Sequence, residues 1–174
     1  MLESQFSQGQ SWGGLLAFLH LSSDGRGADD QPVSFTLSNT PTSVPLVEAE
    51  AGRLVEACGS VESFMAKHNL RAPPDADPPE TIAAAYAHAG NTWRGTTAIE
   101  GLEASTEAMA RVPCPSLVIR GEHDFCTAAC VAGWAQLPDV RFETLAGASH
   151  HALIEAPERY LQALSAFLKE SEDR

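Results

Sequence analysis

Hydrophobic and polar positions along this chain follow two periods, and the switches between them outline its elements. Gly14-Leu15-Leu16-Ala17-Phe18-Leu19 is a solid apolar run that reads as the start of a helix. Val33-Ser34-Phe35-Thr36-Leu37 alternates apolar with polar and predicts a short strand, closed by Asn39-Thr40-Pro41. Leu46, Val47, Ala51, Leu54 and Val55 recur at helical spacing over 46–58, and a second short helix is predicted over 61–67. A proline-rich break at 72–79 leads into an Ala-rich helix over 80–89. Strand character returns at 115–121, a near-continuous apolar run of the kind that parallel sheets bury on both faces. A helix over 127–136, an alternating strand over 140–145 and a last amphipathic helix opened by Ala156-Pro157-Glu158 complete the pattern. In that helix Tyr160, Leu161, Leu164, Phe167 and Leu168 share one side. Ser4-Gln5-Phe6-Ser7-Gln8, by contrast, is too polar for a buried strand.

Strands alternating with helices in this order predict an α/β fold, a parallel sheet flanked by helices. The middle of the chain carries helical pattern and no strand signal, as a cap inserted between sheet strands would. The expected sections are 1–45 and 111–174 for the core, with 46–110 as a short helical cap. Composition changes this picture little: 44% hydrophobic and 20% charged residues in 174 is ordinary globular material. A net charge of −12 argues against nucleic acid and anionic membrane surfaces as partners. No apolar run approaches the ~18 residues a membrane span needs, and no basic, apolar leader opens the chain. Cys58, Cys114, Cys126 and Cys130 show neither metal-knuckle spacing nor a disulfide framework, so buried thiols, no metal and a reducing, cytoplasmic compartment are expected.

Chemistry enters with Gly9-Gln10-Ser11-Trp12-Gly13, which has the G-x-S-x-G form of a nucleophile elbow. Such a turn holds its serine in strained backbone and needs small residues where strand and helix approach; Gly9 and Gly13 are expected to meet that need. Two later strand ends carry ionisable residues: Gly121-Glu122-His123-Asp124, and Gly147-Ala148-Ser149-His150-His151. In open α/β sheets chemistry collects at the carboxyl ends of strands, and serine, acid, histidine is the order of an α/β-hydrolase triad. Serine is a poor nucleophile without a base, histidine titrates near neutrality, and a carboxylate fixes the imidazole tautomer. Taken singly, Asp124 also reads as a cap for the helix near Thr127, and His150 or His151 as a surface-loop histidine. Glu122 and His123 read as rim residues, Glu155 and Glu158 as acids suited to the start of the last helix.

These stretches resemble the proline iminopeptidase branch of the α/β-hydrolase superfamily. The resemblance rests on residues 9–14, residues 37–46, residues 115–124 and Ser149-His150-His151-Ala152-Leu153-Ile154-Glu155-Ala156-Pro157-Glu158. It implies a partial α/β-hydrolase fold with Ser11 as nucleophile, Asp124 as acid, His150 rather than His151 as base, and the backbone N–H of Trp12 as an oxyanion-hole donor. The implied reaction is release of an N-terminal residue, typically proline, from small peptides, with no metal or organic cofactor. Trp93 and Phe125 are the expected substrate-binding residues.

Three departures qualify what is implied. The family's strands before the elbow, with a His-Gly-Gly-Pro-type loop that supplies a second oxyanion donor, have no counterpart here; one such donor is typically worth about 10²–10³ in rate. Residues 91–97 carry no acid where the family holds the substrate's amino group. Phe125 stands where its peptidases often have a glutamate. A buried ammonium without carboxylate partners is costly. The alternatives are therefore an esterase or amidase acting on substrates without a free amine, or a truncated, catalytically inactive relative.

Overall fold

The computed structural model describes residues 6–23, 31–71 and 100–173. The proline-rich break at 72–79, the helix predicted over 80–89 and the 91–97 segment with Trp93 lie outside the described residues.

Among the described residues, four strands form one parallel sheet in the order β1-β2-β3-β4: β1 Phe6–Gln10, β2 Ser34–Ser38, β3 Ser116–Gly121 and β4 Val140–Leu145. Helix α1 (Trp12–Leu21) joins β1 to β2. Between β2 and β3 lie α2 (Val44–Cys58), α3 (Val61–Phe64), a π-helical turn at Met65–Asn69 and α4 (Thr106–Met109). After β3 come α5 (Ala128–Ala132) and a 3₁₀ turn (Gly133–Gln136); after β4 come α6 (Ala152–Glu155) and α7 (Pro157–Glu172). The sequence marks these boundaries well. Ser43 caps α2 by accepting from the Leu46 N–H, with Pro45 in its first turn, and Gly59 ends it in the left-handed region.

The two faces of the sheet carry separate cores, as a strand's period of two requires. Phe35, Leu37 and Val118 point towards Leu15, Phe18 and Leu21 of α1 and the buried Trp134. Leu117 and Ile119 point the other way, onto Tyr160 and Phe167 of α7. Phe18 meets Trp134 edge to face at 5.0 Å, and the Trp134 indole N–H donates to the Thr40 carbonyl. All of β2 is buried, so its apolar–polar alternation reflects two covered faces and not one wet face. Among the described residues, no helix is long and apolar enough to cross a membrane.

The stretch before the elbow, expected to be too polar for a buried strand, does form a strand, a half-exposed one: Phe6–Gln10 pairs in parallel register with β2 along its whole length. Its polarity has two causes. β1 is one of the two edge strands among the described residues and half exposed, so apolar residues are not demanded on both faces. Its glutamines are also used, since Gln8 Nε2 donates to the Tyr160 hydroxyl at 2.9 Å and Gln10 reaches the loop after β4.

Of the elbow glycines, Gly9 meets the expected need and Gly13 does not. A Cβ on Gly9 would lie 2.5 Å from the Gly14 Cα, so Gly9 is small because strand and helix touch there. The second close contact is at Gly14, whose Cβ would sit 2.0 Å from Thr40 Oγ1, whereas one on Gly13 meets nothing within 4 Å. Gly14→Ala is therefore expected to cost about 1–3 kcal/mol through overpacking. Gly13→Ala should gain up to about 1 kcal/mol of helix propensity. Urea unfolding of the two variants checks this, and equal midpoints would contradict the packing.

Candidate active site

Each of the four parallel strands delivers one residue to the same end of the sheet. Ser11 follows β1, Asn39 follows β2, Asp124 follows β3 and His150 follows β4. Ser11 and Asn39 are, among the described residues, the non-glycine positions with positive φ, at 54° and 50°. Such conformations cost energy and persist where surrounding structure enforces them. At Ser11 the enforcement is visible: its N–H donates to the Ser38 carbonyl at 2.9 Å, and its own carbonyl accepts from Gly14. Trp12 opens α1, a position whose N–H has no acceptor inside a helix.

Asp124 is the centre of the constellation. Its side chain is fully buried, and three N–H donors converge on its two oxygens. Oδ1 accepts from the Cys126 backbone and from His150 Nδ1, each at 2.8 Å; Oδ2 accepts from Asn39 Nδ2 at 2.6 Å. Asp124 thus makes its contacts within the site, and α5, which starts at Ala128 after Thr127, receives no side-chain cap from it. A carboxylate accepts, so His150 Nδ1 carries the proton and Nε2 is left with the lone pair a general base uses.

His150 is 5% exposed, and the ring of Phe125 stacks on it at 4.1 Å and 29°. Phe125, expected to face substrate, is itself buried beneath the imidazole. His151 is reached by Gln10, whose Nε2 lies 3.1 Å from the His150 carbonyl and 3.4 Å from His151 Nδ1. An amide donor facing that nitrogen favours a neutral ring. Burial, and secondarily the neighbouring His150, hold the His151 imidazole down from 6.5 to about 4.

Several of these partners were not singled out from the sequence. Asn39 read only as a strand terminator; an Asn directly after a strand, before Thr-Pro, is a weak hint of a left-handed turn. Gln10 is an elbow position to which the G-x-S-x-G pattern assigns no role. Glu155 ends α6 and does not start the last helix; its carboxylate accepts from the Ser149 N–H and hydroxyl, bracing the histidine loop. Gly121 ends β3 because that loop crosses it, and a Cβ there would lie 2.2 Å from the Ser149 carbonyl. Glu122 is half exposed and holds the Gly147 N–H.

Asp124, Cys126 and His150 also bring an oxygen, a sulfur and a nitrogen within 4.8 Å of one another, a donor set a thiophilic divalent ion would accept. The fit is poor. Both carboxylate oxygens already hold N–H donors, and complete burial pushes the Cys126 thiol well above its ordinary range, away from the thiolate a metal needs. Among the described residues, Cys58, Cys114, Cys126 and Cys130 form no disulfide.

The fold that presents these residues is that of the α/β-hydrolases. By sequence, the chain is similar to proline iminopeptidases. It is 27% identical over 194 residues to the proline iminopeptidase of Lactobacillus delbrueckii subsp. bulgaricus, covering 92% of this chain and 63% of that one. The crystal structure of the Mycobacterium smegmatis proline iminopeptidase superposes with a TM-score of 0.79 at 26% identity, covering 97% of this chain and 66% of that one. The crystal structure of VinJ gives 0.75 at 24% identity, covering 96% and 66%. No family model matches the chain. The chain thus spans about 63% of the length of the curated relatives it matches.

Two outcomes follow from the geometry. Asn39→Ala strips a donor from a buried carboxylate and should destabilise the fold by about 1–3 kcal/mol in urea unfolding. Because the His151 pKa is lower folded than unfolded, its contribution to stability is complete above about 6.5 and falls as pH drops towards 4. Thermal unfolding midpoints of His151→Asn should therefore fall less than wild type between those limits; parallel pH profiles would refute the assignment.

Proposed function

We propose that Ser11, His150 and Asp124 act as nucleophile, general base and orienting acid of a serine hydrolase working through an acyl-enzyme. The observation that carries this reading is the buried Asp124–His150 bond, which fixes the proton on Nδ1 and leaves Nε2 as the base, at the end of the sheet where the strained Ser11 turn also lies. In this reading His150 takes the Ser11 proton as the hydroxyl attacks a carbonyl carbon, then returns it to the leaving group. The Trp12 backbone N–H faces the developing oxyanion. Proline iminopeptidase relatives favour an N-terminal residue, typically proline, released from a small peptide as the substrate class.

A second reading has its own support. Phe125 presents no charge beside His150 where an amine-binding acid would be useful, and it is packed against the base. That favours esters or amides lacking a free amine. The test offers proline p-nitroanilide, its N-blocked analogue and a p-nitrophenyl ester, alongside a fluorophosphonate probe. Labelling at Ser11, lost in Ser11→Ala, is expected, with turnover falling about 10⁴-fold in Asp124→Asn. Turnover of the ester alone selects the second reading. A folded protein that neither labels nor turns over any of the three is a non-catalytic relative.

A further inference from the structure

The π-helical turn Met65–Asn69 has no role in the reaction as described, yet it is wedged between the acid loop and the histidine loop. π-Helical turns are rare, and they recur at functional sites because the extra residue per turn re-aims side chains and carbonyls. His68, one residue from the end of this turn, is buried at 8% exposure. Its Nδ1 lies 2.7 Å from the His123 carbonyl, which can only accept, so Nδ1 carries the proton. Its own carbonyl, freed at the helix end, accepts from the Phe125 N–H at 3.4 Å and the His150 N–H at 3.2 Å. One residue therefore bonds backbone on both sides of Asp124 and the backbone of His150 itself.

The rings repeat the connection. His68 packs on Phe64 at 5.8 Å, Phe64 on Phe125 at 6.0 Å, and Phe125 stacks on His150 at 4.1 Å. Three residues on, the Arg71 N–H donates to Glu155, the carboxylate that braces Ser149. We infer that His68 is a positioning residue: it clamps the acid loop to the histidine loop and so sets the alignment of the Asp124–His150 pair. Burial lowers the His68 pKa, which keeps its ring a neutral, single-donor clamp. The inference rests on the acid–base reading of that pair only for its effect on turnover; its effect on geometry is independent.

His68→Leu removes the ring donor, whereas His68→Asn places an amide N–H where Nδ1 was. Misalignment of about an ångström costs up to about 100-fold in rate, so His68→Leu should lose about 10- to 100-fold in kcat with KM nearly unchanged. His68→Asn should recover most of that loss. In proton NMR, the Nδ1–H resonance of His150 and slow exchange of the Phe125 and His150 amides should persist in wild type and His68→Asn and be lost in His68→Leu. Wild-type turnover in His68→Leu, or equal impairment in both variants, overturns the clamp. If the wild-type chain turns over none of the substrates, the hydrolase reading fails by itself and the NMR comparison alone decides the clamp: unchanged spectra in His68→Leu overturn it. Should His68→Leu not fold, His68→Gln replaces it, because its amide donor reaches past the Nδ1 position; equal behaviour of the Gln and Asn variants then overturns the proposal.

Discussion

The carboxylate of Asp124 is the constraint on which the rest of the site depends. A fully buried carboxylate is tolerable only when its oxygens are met by donors, and here the donors come from three different parts of the chain. Asn39 supplies one from the end of β2, Cys126 one from the turn after β3, and His150 one from the loop after β4. To satisfy this group, the ends of three neighbouring strands must be held at fixed separations. That requirement accounts for the left-handed Asn39, for the missing Cβ at Gly121 and for the Glu155 brace on Ser149.

The same logic extends outward from the pair. His150 is fixed at its Nδ1 by Asp124, on its face by Phe125, at its N–H by His68 and at its carbonyl by Gln10. These contacts hold the ring at Nδ1 and on one face, and the backbone at both its N–H and its carbonyl. An imidazole held in this way would lose little entropy on acting as a base, which is the physical content of preorganisation. The resemblance to proline iminopeptidases and the α/β-hydrolase architecture agree with this arrangement of groups. Phe125, stacked on His150, sets an aromatic face and no charge against the pair.

β1 shows how a polar strand earns its place. Its apolar content alone would not select a sheet position, yet Gln8 and Gln10 each bond to an element more than a hundred residues later in the chain, and Gly9 admits the start of α1. Hydrogen bonds of this kind stabilise modestly one by one. Their larger effect is on geometry, since they tie the Ser11 turn to the histidine loop and to α7.

Local pattern determined most of the elements. The apolar run of β3, the alternation of β4, the Ser43 cap and Pro45 of α2 and the amphipathic α7 are all written in neighbouring residues, because helix and strand periods are properties of short stretches. The order of Ser11, Asp124 and His150, each after a turn signal, was legible for the same reason. Only the tertiary structure decided what no window of sequence contains. It made a strand of Phe6–Gln10, moved the small-residue requirement from Gly13 to Gly14, and turned Phe125 beneath His150. It also recruited Asn39, Gln10 and His68, whose partners lie 55 to 141 positions away. Those roles are set by which buried donor meets which buried acceptor, and that pairing exists only once the sheet has assembled.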